Sequence, residues 1–215
     1  MLRDATTALV LVLALSGCAG IGQPKPYDSA GINGLVIPTA TPDPADFGDV
    51  VDNPWLALEA GATWHYDVTD SGRTIGTIDA EVADGTTTVA GLNATGVRTT
   101  TEVDGETSEE THFYAQDDRG NVWLVGADSP AGDWRAGEGG AEAGLAMPAD
   151  PRLGDGWAAY VVPGLPDATV RVDDQSREMV QLEDEAGTTT RQVYEKGAGL
   201  VSVEDLDAGW VATLD

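Results

Sequence analysis

From Trp55 onward the apolar residues of this chain recur at every second position. Trp64, Tyr66 and Val68 share one parity, and His65, Asp67 and Thr69 the other. That is the period of a strand with one buried face. Further alternating runs follow at 74–83, 86–90, 94–103, 106–115, 121–126, 157–162, 169–173, 177–183, 188–195, 199–204 and 210–214. Between them stand turn-forming residues: Asp70-Ser71-Gly72-Arg73, and the pairs Asp84-Gly85 and Asp104-Gly105, each read as a hairpin. No ten-residue stretch after residue 54 carries apolar residues at helical spacing. The pattern predicts an all-β domain over 54–215, a single antiparallel meander curled into a barrel, half-barrel or sandwich. One long Gly/Pro-rich insert, about 127–156, interrupts it. Its Trp134 and Met147 suggest that it packs on the sheet as a lid.

The start of the chain has a different character. Ala8 to Leu15 is a short apolar run ending in Leu15-Ser16-Gly17-Cys18. The run is far below the roughly 20 residues of a membrane-spanning helix, and it fits the core of a cleavable export signal. Ser16 and Gly17 are small enough to let a peptidase reach the backbone. Leu15-Ser16-Gly17-Cys18 resembles the lipobox of bacterial lipoproteins. The resemblance implies removal of residues 1–17, palmitate-type acylation of Cys18, and a lipid anchor on the extracytoplasmic face of the cell membrane. Cys18 is the single cysteine. An intrachain disulfide and a thiolate metal site in the domain are thereby excluded.

Residues 18–53 read as a disordered Pro/Gly-rich tether. Within it, Asp43-Pro44-Ala45-Asp46 has the form of a helix start, with an N-cap acid and proline at the first helical position. A turn or two is expected to run to about Val51. The spacing of Asp43, Asp46, Asp49 and Asp52 fits a polar helix face better than a calcium loop, which needs oxygens converging around a tight bend.

Charge narrows the partners. The chain has 37 acidic against 11 basic residues, a formal charge of −26, and two lysines, Lys25 and Lys196. Nucleic-acid and anionic-lipid headgroup binding need Lys and Arg clusters, so no nucleic-acid partner is expected. The acids are spread over the whole chain, as in a solvated acidic shell suited to high salt.

The segment Tyr114-Ala115-Gln116-Asp117-Asp118-Arg119-Gly120-Asn121-Val122-Trp123 reads as strand, turn, strand. Asp117 and Asn121 are placed to bond turn amides, Gly120 to take positive φ, and Val122 and Trp123 to enter the core. Downstream stand Trp134, Ala136 and Gly137, then Met147, Pro148, Ala149 and Pro151, then Gly154-Asp155, and finally Tyr194, Gly197, Gly199, Leu200 and Val201. In this order they resemble a group of secreted bacterial β-rich proteins and lipoproteins that share a Tyr-Ala-Gln-Asp-x-x-Gly-Asn-Val-Trp hairpin. After Gly154-Asp155 the chain departs from that group with Gly156-Trp157-Ala158-Ala159. The resemblance implies a shape and carries no functional residue across.

No catalytic constellation stands out. Ser108, His112 and Asp117 can be combined on paper into a hydrolase triad, but no nucleophile elbow accompanies them. His65 and His112 would make zinc ligands only if they converged with a carboxylate. No cofactor motif is present. Trp64, Trp123, Trp134 and Trp157 are the candidate ligand-contacting residues, since curved antiparallel sheets hold apolar ligands on their concave face. The expectation is a non-enzymatic, lipid-anchored binding or accessory domain for an apolar small molecule, a lipid or a partner protein. The alternatives are a structural or interaction lipoprotein without a pocket, and an unrecognised hydrolase.

Overall fold

The computed structural model describes residues 35–215. Cys18, the lipobox and the first part of the expected tether lie outside the described residues. The strands are β1 (Asp52–Asn53), β2 (Leu56–Ala57), β3 (Thr63–Asp70), β4 (Arg73–Val89), β5 (Leu92–Val103), β6 (Glu106–Gln116), β7 (Val122–Asp128), β8 (Trp134–Arg135), β9 (Glu142–Met147), β10 (Gly156–Val161), β11 (Ala168–Gln175), β12 (Met179–Glu185), β13 (Thr189–Glu195), β14 (Gly199–Asp205) and β15 (Val211–Leu214). From β3 to β15 the strands pair antiparallel with their sequence neighbours, except that β9 pairs with β7 rather than β8, and β15 returns to β3, with Val211 opposite Thr69 and Leu214 opposite Tyr66. The meander is therefore a closed barrel. Twelve strands form the ring, and the short β8 branches from β7. Closure leaves no unpaired edge in the ring, which removes the usual route to edge-to-edge association.

Three hairpins turn through residue pairs with positive φ at both positions: Ser71-Gly72, Ala90-Gly91 and Asp104-Gly105. Such turns match the right-handed twist of the flanking strands. Asp84-Gly85, expected as a hairpin, lies instead inside β4. There the register with β5 jumps from Val82↔Val97 to Thr86↔Thr95. Three residues of β4 face one of β5, a bulge that bends the strand. The bend lets the incoming chain bond to β4, through Gly61 N–H to Val82 O and Val82 N–H to Ala62 O.

The segment 127–156 is more ordered than its composition suggests. It supplies β8 and β9, and β9 is a wall strand between β7 and β10. Its composition follows from crowding: a Cβ on Gly144 would collide with the carbonyl of Ala159 on β10. Only glycine lets the two strands approach this closely.

In the region read as tether, the expected helix is one 3-10 turn, Pro44–Asp46, capped by Asp43, whose Oδ1 accepts from Ala45 N–H at 3.0 Å. It stops at Phe47, which is extended, bridges to Asp117 and sets its ring edge-on to Trp123 with centroids 6.2 Å apart. The four aspartates therefore do not form a helix face. From Leu35 onward the described chain rests on the barrel: Leu35, Ile37 and Phe47 pack against the main core, and Thr39 bridges to Ala143.

Residues 51–58 then cross one end of the barrel. Asn53, 2% exposed, donates from Nδ2 to the carbonyls of Gly120 (2.8 Å) and Pro148 (3.2 Å), and its Oδ1 accepts from Trp55 N–H (2.8 Å). On the opposite side of the ring, Gly197 N–H in the β13–β14 turn donates to Pro54 O. Anchored at both rims, the segment plugs this end and buries Val51, Trp55 and Leu58.

Candidate functional site

Above the plug the barrel interior encloses a cavity of about 570 Å³, within the usual range for small-molecule sites. Leu56 and Leu58 of the plug, with Leu145 and Leu182, form its apolar floor. Trp64, Tyr66, Ile78 and Val97 make one wall. Away from the plug, the exposed residues Ala131, Ala186 and Thr188 line the cavity and mark its rim.

The other wall is polar, and strand parity explains it. On β12 the inward positions are Val180, Leu182 and Asp184, the first two fully buried. On β13 they are Thr190, Gln192 and Tyr194, and on β6 Glu110, His112 and Tyr114; all six line the cavity. Tyr194 donates its hydroxyl proton to Gln192 Oε1 at 2.9 Å. That bond orients the amide so that Nε2 faces Asp184 Oδ2 and Thr190 Oγ1, each at a long 3.4 Å. Asp184 Oδ1 is sealed from solvent and has no hydrogen-bond partner. Burial pushes the Asp184 carboxyl up to about 6, against a weaker downward pull from Gln192. Burial also raises the hydroxyls of Tyr66, to about 12, and of Tyr160. Tyr114 and Tyr194 rise further by burial, with the charge of Asp184 acting in the same direction on both. Tyr160 packs on Trp134, ring centroids 5.5 Å apart.

Of the four tryptophans expected to contact a ligand, Trp64 and Trp134 line this cavity. Trp123 and Trp157 do not. Trp123 donates its indole N–H to Asp117 Oδ2 at 3.0 Å, and Trp157 donates to Leu145 O at 2.6 Å, so both are fixed as core residues. The Tyr114–Trp123 hairpin is likewise structural. Asp117 Oδ1 accepts from the backbone N–H groups of Arg119 (2.9 Å) and Asn121 (3.0 Å), and Asn121 Oδ1 accepts from Ala149 N–H. Gly120 has φ +85°.

Ser108, His112 and Asp117 do not assemble. Asp117 is committed to the turn below β6, and nine residues of extended chain, about 30 Å, separate it from Ser108. The two histidines are also apart. His65 faces outward and pairs with Asp79 at 2.7 Å, whereas His112 faces the cavity beside Glu110 at 3.7 Å. Among the described residues no group of three His, Cys, Asp or Glu is placed to hold a metal ion.

The polar wall was not singled out from the sequence. Its signal was nevertheless there: an aspartate on the same parity as Val180 and Leu182. Once closure fixes which parity faces inward, such a residue marks a polar group inside the barrel. No family model, curated protein or solved structure matches the chain.

Proposed function

We propose that this protein is a lipid-anchored binding domain, held by Cys18 on the extracytoplasmic face of the cell membrane, whose barrel interior takes an apolar or amphiphilic small molecule. The observation that carries the reading is the cavity itself: a closed barrel, plugged at one end, with an apolar floor, a polar wall and exposed residues at its rim. A structural lipoprotein without a pocket would need no such interior. Well-packed cores leave few voids larger than a water molecule. The lipobox resemblance supports the anchor, because a multiply acylated cysteine holds a protein at a membrane without a spanning helix. No helix among the described residues is long and apolar enough to cross one.

Native mass spectrometry of the full chain purified from its own host tests the binding reading. A co-purifying small molecule, lost on denaturation, is the expected outcome. A ligand-free mass, with no uptake from a host lipid extract, overturns it. Metabolic labelling with palmitate tests the anchor separately. Label should appear on the wild type and vanish in Cys18→Ala.

A further inference from the structure

The cavity's charge distribution selects among amphiphiles. Among the described residues two carboxylates, Glu110 and Asp184, line it, and no lysine or arginine does. Asp184 Oδ1 is buried without a donor, and a buried charged acceptor left unpaired is costly. The neighbouring polar groups do not satisfy it. Gln192 faces Oδ2 at a long 3.4 Å, and Tyr194 spends its hydroxyl proton on Gln192. Aromatic rings stand on the same side, Tyr114 from β6, Tyr160 from β10 and Tyr194 from β13, and ring faces attract cations. The apolar floor and the Trp64 wall suit a hydrocarbon chain.

We infer that the cavity binds an amphiphile with a protonated amine at its polar end, the ammonium standing against the Asp184 carboxylate where that side chain lines the cavity, with Glu110 on the same space, and the alkyl chain lying on Leu56, Leu58 and Trp64. The inference rests on the binding reading above and sharpens it to a ligand class. An ammonium supplies both the donor and the positive charge that the wall lacks. An alcohol supplies only the donor, and a carboxylate brings a third negative charge.

The test uses the chain 18–215 made without its signal segment, and three probes of equal chain length: decylammonium, decanol and decanoate. Isothermal titration calorimetry at pH 8 should show decylammonium binding at least about tenfold tighter than decanol, and decanoate weakest. Decylammonium affinity should fall roughly tenfold between pH 8 and pH 5 as Asp184 takes up a proton. Glu110, His112, Tyr114, Tyr160 and Tyr194 face the same space, so a His112→Gln variant is the control and should keep this pH dependence. Asp184→Asn should weaken decylammonium at least tenfold, leave decanol within about twofold, and abolish the pH dependence. Equal binding of all three probes overturns the ammonium inference and leaves the binding reading standing. Binding of none overturns both. The headgroup and pH comparisons use wild-type protein, so the inference stands or falls even if Asp184→Asn does not fold.

Discussion

Asp184 lies on a strand face whose preceding inward residues, Val180 and Leu182, are fully buried. An asparagine there would keep the shape and the bond from Gln192. An aspartate instead carries a charge that its surroundings do not stabilise. Its carboxyl is raised from 3.8 to about 6, so the folded state holds the proton more tightly than the unfolded chain. The resulting penalty is absent below about pH 4, grows between pH 4 and 6, and is complete above 6, where two pKa units correspond to about 3 kcal/mol. Asp184→Asn should therefore raise unfolding free energy by about 2–3 kcal/mol at pH 8 and change it little at pH 4. Urea unfolding at the two pH values measures this. A variant less stable at pH 8 would mean that Oδ1 has a donor in the folded protein.

At the scale of elements, the floor of the cavity depends on a segment with little secondary structure of its own. Asn53 fastens it by bonding two carbonyls and two amides, of Gly120, Pro148, Trp55 and Leu56. Removing its side chain strands these groups in a buried place, at about 1–3 kcal/mol for each left unpaired. Asn53→Ala should lose about 3–5 kcal/mol in urea unfolding and speed hydrogen exchange at residues 55–58. Asp52→Ala, which loses one exposed bond to Gln116, should stay within about 1 kcal/mol. This floor is the part of the fold that the sequence hides best. The carbonyls that tie Asn53 to the barrel, those of Gly120 and Pro148, lie more than 60 residues away in the chain, so no local pattern announces them. The strands were legible because alternation is local, and Asp104-Gly105 was legible because a two-residue turn is local too. Asp84-Gly85 misled because a bulge and a tight turn draw on the same residues. Strand β9 stayed hidden because Gly144, chosen for close packing against Ala159, reads like a loop residue. Trp123 and Trp157 looked like ligand contacts until Asp117 and Leu145 were seen to hold their indole N–H groups.

For the whole molecule, closure and charge act together. A closed antiparallel barrel sends every second side chain outward, and here many of these are acids. With 37 acidic residues against 11 basic ones, most of the acids have no cation to pair with. Some of the pairs that form, Arg98–Glu81 and Arg152–Asp150 among them, are more than half exposed on both sides, and exposed pairs contribute little. The folded state thus concentrates a repulsion that the unfolded chain dilutes. Salt shortens the reach of that repulsion from about 30 Å at 0.01 M to about 3 Å at 1 M. Thermal unfolding of the chain 18–215 should therefore shift upward by about 4–8 °C between 0.01 M and 1 M NaCl, the size expected for roughly 2 kcal/mol in a domain of this length. Raising salt at pH 4, where many carboxylates are protonated, should move the midpoint much less. That contrast separates screening from the general strengthening of apolar burial by salt, which does not depend on carboxylate charge. A midpoint indifferent to salt at pH 8 would mean that the acids are spaced widely enough to ignore one another, and the acidic shell would then not be an adaptation to high ionic strength.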